Sequence, residues 1–199
     1  DWEDVKDIFE EPIFLMSDYD GTLTPIVERP EDAELSEDMR SLLVQLSDFC
    51  SIAIVSGRSL EDLESRVEID GIYYSGNHGF EISGPGVDFE KEDVKEAKSA
   101  IRKISDKIEK RVSFIEGAIV ENKGFTSSIH YRLVSEESVQ ELKKIVEEEV
   151  ASYLDEDLID IGRGKKVIEI RPKVEWDKGN AVSLLLQVTG LKGEAMPIY

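Results

Sequence analysis

The sequence predicts an α/β protein: a doubly wound, Rossmann-like parallel-sheet core into which a smaller α+β domain is inserted. Three observations carry that expectation. Short, continuous apolar runs stop at small or polar residues. Amphipathic helical stripes separate those runs. The pattern then changes character after Gly84-Pro85-Gly86 and returns after Pro172. Apolar runs bounded this way read as strands buried on both faces, as in a parallel sheet covered by helices.

In chain order, Pro12 precedes Ile13-Phe14-Leu15-Met16, a run that ends at Ser17-Asp18. Ser36 is placed to cap a helix whose apolar face carries Met39, Leu42, Leu43 and Leu46. The second run, Ile52 to Val55, stops at Ser56-Gly57-Arg58. Ser59, with Asp62 three residues later, has the pattern of a capping box opening a helix through Leu60, Leu63 and Val67. The third run, Ile72 to Tyr74, stops at Ser75-Gly76-Asn77-His78-Gly79. Strands and helices in alternation, with polar residues at each strand's C-terminal end, place a ligand site at those ends.

Beyond Gly86 the stripe Val94, Ala97, Ile101, Ile104 and Ile108 predicts a helix. Two strand-like segments follow, Ile115 to Val120 and Phe125 to Leu133, joined by a turn at Lys123-Gly124. A second amphipathic helix runs through Val139, Leu142, Ile145, Val146 and Val150. Two short strands, Leu158 to Ile161 and Lys166 to Arg171, flank Gly162-Arg163-Gly164. The order αββαββ does not continue a parallel sheet. Residues 1–85 are thus expected to form the first part of the core, 86–172 the inserted domain, and 173–199 the second part of the core. That second part holds a helix from about Gly179 to Val188 and a strand near Ala195 to Tyr199.

Composition narrows the function. A formal charge of −20 argues against nucleic acid or an anionic membrane as partner, because both would be repelled. A small phosphorylated substrate remains compatible, since charges beyond roughly 10 Å are screened and the local field decides binding. A single cysteine, Cys50, excludes an internal disulfide and fits a reducing compartment. No apolar run approaches the ~20 residues of a membrane span, and the acidic N-terminal segment is not expected to act as a signal peptide. A cytoplasmic protein is the expectation.

The chemistry concentrates in Asp18-Tyr19-Asp20-Gly21-Thr22 at the end of the first strand. Strand geometry sends Asp18 and Asp20 to the same side, and Gly21 lets the chain turn away. One carboxylate can attack phosphorus to form an aspartyl phosphate, and the other can protonate the leaving alkoxide and later activate water. Mg²⁺, a hard cation suited to oxygen ligands, would offset the repulsion between two anions. Ser56, Gly57 and Arg58 offer a hydroxyl, a backbone N–H and a cation at the next strand end.

Asp18-Tyr19-Asp20-Gly21-Thr22-Leu23-Thr24 resembles the first motif of the haloacid dehalogenase superfamily of phosphatases. The resemblance implies that Asp18 is the nucleophile and Asp20 the general acid/base, with metal held by the Asp18 side chain and the Asp20 backbone carbonyl. Ser56 matches the second motif, whose hydroxyl hydrogen-bonds the transferring phosphoryl group. Lys178 resembles the third-motif lysine that stabilises phosphoryl charge. A cation at a helix N-terminus opposes the helix dipole, so its position there hints at function.

A longer set extends the likeness: Asn77-His78-Gly79 with Glu81, Glu121 with Lys123, His130-Tyr131-Arg132, Glu169 with Arg171-Pro172, and Trp176 with Lys178-Gly179. Together these resemble the trehalose-6-phosphate phosphatases, in order over nearly the whole chain. The resemblance implies that Glu121, Lys123 and Glu169 hold sugar hydroxyls and that Asn77 assists from the core. The residue pattern agrees in kind. Along the strand from Phe125, the residues Thr126, Ser128, His130 and Arg132 share one face, and Glu169 shares a face with Arg171. A sheet with one polar face suits a neutral, hydroxyl-rich sugar. His78 reads as a structural hydrogen-bonding residue, since no second His or Cys lies at zinc spacing. The pathway partner expected is a trehalose-phosphate synthase.

The superfamily's fourth motif, an acidic cluster, is expected after Met196-Pro197-Ile198-Tyr199. The core is therefore expected to be C-terminally incomplete as written, either as a fragment or as a truncated product. The competing readings are a phosphatase for another sugar phosphate, such as sucrose phosphate, and a non-catalytic sugar-phosphate-binding module.

Overall fold

The computed structural model describes residues 12–27, 30–176 and 178–199, with Pro30 and Lys178 described by backbone alone. The chain divides into two compact units, one of residues 1–90 with 176–199 and the other of residues 91–175. The first unit is built on a six-stranded sheet in the order β10-β1-β2-β3-β4-β5. Its strands are β1 (Ile13–Asp18), β2 (Ser51–Val55), β3 (Tyr73–Gly76), β4 (Glu81–Gly84), β5 (Val87–Glu90) and β10 (Met196–Ile198). The pairs β10–β1, β1–β2 and β2–β3 are parallel, and β4 and β5 add antiparallel.

Helices cover both faces of that sheet, which is what makes its central strands apolar throughout. On β2, Ile52 and Ile54 join Leu43 of α1 (Glu37–Ser47) and Leu63 and Val67 of α2 (Leu60–Val67). The alternate residues Ala53 and Val55 join Leu185 of α5 (Lys178–Val188). A period of two residues sends neighbours to opposite faces, so both faces need apolar residues. Fully burying each such side chain stabilises the fold by roughly 1.5–3 kcal/mol.

The helices begin where their caps stand. Ser36 accepts a hydrogen bond from the Met39 N–H at 3.2 Å, and Ser59 accepts one from the Asp62 N–H at 3.2 Å. The second cap is only half of the expected capping box, because the Asp62 carboxylate turns to Arg58 and Arg66 instead. On α1 the apolar stripe is narrower than expected: Leu43 is buried, whereas Leu42 is 48% exposed. At 100° per residue, adjacent leucines cannot both centre on one face, and Met39, Leu43 and Leu46 hold it.

Gly84-Pro85-Gly86 is not a border between domains. It is the turn of the β4–β5 hairpin, which extends the core sheet to Glu90. The unit boundaries accordingly fall at 91 and 175, not at 86 and 172.

The inserted unit comprises α3 (Lys95–Val112), β6 (Ile119–Asn122), β7 (Ser127–His130), α4 (Glu136–Asp155), β8 (Ile159–Gly164) and β9 (Val167–Pro172). Its four strands form an antiparallel sheet in the order β6-β7-β9-β8. Ile101, Ile104 and Ile108 of α3 and Leu142, Val146 and Val150 of α4 pack with Ile129, Ile168 and Ile170. One sheet face is thus sealed by helices and the other stays polar. β6 begins later than expected and β7 is shorter: Ile115 lies in the turn after α3, and the strand stops at His130. Among the described residues no helix is long and apolar enough to cross a membrane.

Candidate active site

In the core unit, three segments come near one another at the C-terminal ends of β1, β2 and β3. β1 finishes at Asp18, so Asp20 is placed by a tight loop and not by the strand pleat. Tyr19 makes that loop. Its ring is fully buried among α1, α2 and β2 residues, and its hydroxyl donates to the Ala33 carbonyl at 3.1 Å. The Tyr19 carbonyl accepts from the N–H groups of Leu23 and Thr24, both at 3.1 Å, and Gly21 N–H donates to the Thr24 carbonyl at 3.0 Å. Gly21 has φ +84°, a conformation that costs other residues free energy. Asp18 is half-buried and Asp20 exposed.

The loop after β2 faces this one. Ser56 is buried, and its hydroxyl donates to Asp20 Oδ2 at 3.4 Å and accepts from the Arg58 N–H at 3.1 Å. Arg58 grips Asp20 as a fork: Nη2 reaches Oδ1 at 2.7 Å and Nε reaches Oδ2 at 3.0 Å. Its remaining nitrogen, Nη1, reaches Asp62 Oδ2 at 2.9 Å. The guanidinium also lies 5.3 Å from the Tyr19 ring centroid. Burial alone would lower the Arg58 pKa, but the hydrogen bonds to Asp20 and Asp62 outweigh it and hold the guanidinium more firmly charged.

The third segment, Asn77–Gly79, locks the second in place. Asn77 N–H donates to the Arg58 carbonyl at 2.6 Å and His78 N–H to the Ser56 carbonyl at 2.9 Å. Both residues adopt left-handed φ, 49° and 58°. The His78 ring lies so close to Gly57 that a Cβ there would come within 2.5 Å of Cε1. Gly57 is therefore required by close approach, not by backbone conformation. Gly79, at φ +96°, is similarly pressed against Ala181 of α5, and the Trp176 indole N–H donates to the His78 carbonyl at 2.7 Å.

Asn77 is placed differently from expectation. It is 0% exposed, and its amide donates to Glu81 Oε2 at 2.6 Å, so in this arrangement it orders the turn. Lys178 begins α5 by its backbone, and its side chain lies outside the described residues.

In the inserted unit the register aligns the expected sugar-binding residues. Glu121 opposes Ser128, Ser128 opposes Glu169, and Glu169 opposes Gly162. Glu121 and Glu169 thereby share the polar face, with β7 between them. Glu121 Oε2 lies 3.2 Å from His130 Nε2 and 3.5 Å from Lys123 Nζ. The His130 hydrogen bond, aided by the Lys123 charge, outweighs partial burial and holds the Glu121 carboxyl below its usual range. Arg132 does not join this face. The strand alternation stops at His130, and Arg132 is exposed in the following turn.

Two further charged residues belong to the core cluster: Asp62, expected only as half of a capping box, and Arg66, for which no role was expected. Asp62 accepts from Arg58 and, at 2.8 and 2.9 Å, from Arg66 Nε. Arg66 also donates to the Glu31 and Ala33 carbonyls at 3.2 and 3.1 Å. The spacing of Asp62 and Arg66 was the available signal, since residues four apart meet on a helix surface; Arg58 precedes the Ser59 cap.

Asp18 and Asp20 carry oxygen donors of the kind a hard cation takes. Among the described residues, no group of three or more His, Cys, Asp or Glu side chains stands together as a metal site. Mg²⁺ is held by one or two carboxylates, with water or phosphate oxygens completing its shell. The Asp18 carboxylate and the Asp20 backbone carbonyl are donors of that kind, whereas Arg58 holds both Asp20 carboxylate oxygens.

A parallel-sheet core with paired aspartates at one strand end, a hydroxyl at the next, and an αββαββ insertion defines the haloacid dehalogenase-like class. Solved structures agree. The fold superposes on a trehalose-6-phosphate phosphatase related protein with a TM-score of 0.75 at 24% identity, over 87% of this chain and 73% of that one. The C-terminal domain of C. albicans trehalose-6-phosphate phosphatase gives a TM-score of 0.68 at 27% identity, over 89% of this chain and 62% of that one. The family model described as trehalose-phosphatase matches residues 16–199, and the chain belongs to that family. Trehalose-phosphate phosphatase B of Arabidopsis thaliana is 36% identical over 198 residues, covering 94% of this chain and 52% of the relative. Trehalose 6-phosphate phosphatase RA3 of Zea mays is 36% identical over 203 residues, with 94% and 55% covered. The chain spans about half the length of these curated relatives.

Proposed function

We propose that this chain carries the Mg²⁺-dependent hydrolysis of trehalose 6-phosphate to trehalose and phosphate. The family membership supports the substrate, and one observation carries the chemistry: the Asp20 carboxylate is oriented by Arg58 and Ser56 two residues from a half-buried Asp18. Asp18 attacks phosphorus, and the bond from phosphorus to the sugar oxygen breaks as Asp20 protonates that oxygen. Asp20 has first taken up a proton from solvent on one of the two oxygens that Arg58 otherwise holds. Asp20, now a carboxylate, takes a proton from water. The hydroxide then attacks the aspartyl phosphate, releasing phosphate and restoring Asp18. Ser56, the Gly57 N–H, Arg58 and Lys178 stabilise charge on the phosphoryl oxygens. The Asp18 carboxylate and the Asp20 backbone carbonyl would hold Mg²⁺, whose charge would offset the repulsion between nucleophile and substrate. Glu121, Lys123, Glu169 and His130 take the sugar hydroxyls, with Asn77 holding the turn that supports Gly57 and Arg58. A trehalose-phosphate synthase is the partner activity that would supply the substrate.

The test is phosphate release by the intact protein from trehalose 6-phosphate and sucrose 6-phosphate, with Mg²⁺ and with a chelator. Preference for the trehalose ester and loss on chelation are expected. Equal rates on both esters would overturn the substrate, and unchanged rates with chelator would overturn the metal.

A further inference from the structure

The Arg58–Asp20 fork ends a longer circuit that closes on itself. Arg66 is anchored to the Ala33 carbonyl, which also accepts the Tyr19 hydroxyl. Arg66 grips Asp62, Asp62 grips Arg58, and Arg58 lies over the Tyr19 ring while gripping Asp20. Charges alternate along it: Arg66 positive, Asp62 negative, Arg58 positive, Asp20 negative. The Arg58 side chain is only 10% exposed, whereas Asp20 is 49% exposed. Arg58 is therefore the constrained partner. Its planar donors point in fixed directions, so whatever fixes Nη1 also fixes Nε and Nη2.

We infer that Asp62, held by Arg66, is a positioning residue that acts through Arg58 to orient the Asp20 carboxylate. The inference deepens the proposed phosphatase reaction and rests on that reading for the role of Asp20. Asp62 touches neither substrate nor reacting atoms. Without its carboxylate charge, Nη1 loses its charged acceptor, the guanidinium is less constrained over Tyr19, and the Asp20 carboxylate is held less firmly. Small misplacements of a proton donor are costly to the chemical step while leaving substrate binding largely intact.

The experiment is a double-mutant cycle in the intact protein with Mg²⁺, using trehalose 6-phosphate and p-nitrophenyl phosphate. Asp62→Asn should lower kcat about 10-fold and change KM less than about 3-fold. Arg58→Ala should lower kcat further, and the double variant should fall no lower than Arg58→Ala alone, because one residue acts through the other. Multiplying effects, or an unchanged kcat in Asp62→Asn, would overturn the inference. Arg66→Gln, which leaves Asp62 in place, serves if Asp62→Asn does not fold, and should show the same coupling at smaller size. Turnover of the p-nitrophenyl ester alone would remove the trehalose substrate and leave the cycle intact. If the wild type cleaves neither ester, the phosphatase reading fails, and solvent exchange of the Arg58 Nε–H, followed by NMR, decides the coupling alone. Slow exchange in the wild type and fast exchange in Asp62→Asn are expected; equal exchange would overturn the inference.

Discussion

The two units hold their polar residues by different means. In the core, Asp20, Ser56, Arg58 and Asp62 are joined by hydrogen bonds across two loops and the first turn of α2, and left-handed residues and glycines allow the loops to approach closely. In the inserted unit, Glu121, Ser128 and Glu169 stand in a row because an antiparallel register puts them there. The first arrangement is over-determined and intolerant of change. The second tolerates substitution, because strand pairing does not depend on which side chains occupy the polar face. This contrast suits the proposed division of labour, since phosphoryl transfer demands fixed geometry whereas hydroxyl recognition needs donors and acceptors on a stable surface.

The largest expected effect strikes the core. Asp18→Asn removes the nucleophile and should cut phosphate release by about a thousandfold or more; a variant retaining a tenth of the wild-type rate would break the comparison. Gly57→Ala comes next. Its Cβ meets the His78 ring, so kcat should fall on the order of 10- to 100-fold through misplaced catalytic groups. Gly57→Ala with His78→Ala should recover part of that loss, and no recovery would show that the ring is not the obstacle.

Substitution on the inserted sheet should act on binding. Glu169→Gln is expected to raise KM for trehalose 6-phosphate about 10-fold with kcat within about 3-fold. A fall in kcat equal to that of Gly57→Ala would erase the distinction between the units. Glu121 offers a pH test. Its carboxyl sits below the usual range because of His130 and then Lys123, so its stabilising contribution is present above the ordinary carboxylate range and lost as pH falls through the lower folded value. Because the side chain is 39% exposed, solvent screening keeps that contribution to a few tenths of a kcal/mol, about what an exposed ion pair supplies. Melting temperature against pH should therefore converge for wild type and Glu121→Gln in acid and separate slightly above it. The smallest effect belongs to Ser127→Ala. The Ser127 hydroxyl is buried without a hydrogen-bond partner, so its removal should leave stability unchanged within about 1 kcal/mol or raise it, as read by denaturant unfolding.

Much of this molecule was legible in the sequence, and the reasons are local. The apolar runs at Ile13 and Ile52, the caps at Ser36 and Ser59, and the stripe from Val94 to Ile108 are short-range patterns with one physical meaning each. Arg132 misled because strand alternation extrapolates well only while the strand lasts, and β7 ends at His130. Gly84-Pro85-Gly86 misled because a hairpin turn and a domain border use the same residues. The substrate-side role expected of Asn77 was the hardest to judge, because burial beside Glu81 depends on a turn with two left-handed residues.

What the sequence determined by itself was the class of the fold, with two aspartates ending one apolar run, a serine ending the next, and an α+β layer inserted after both. Those follow from periodicity and residue type, which act over a few positions. Only the tertiary structure decided that Arg58 grips Asp20, that Asp62 and Arg66 stand behind it, that His78 presses on Gly57, and that Glu121 and Glu169 share a row. These are contacts across loops and strands far apart in the chain. They arise when burial of Tyr19, Ile54 and Leu63 draws the loops together, and no local pattern encodes which polar groups then meet.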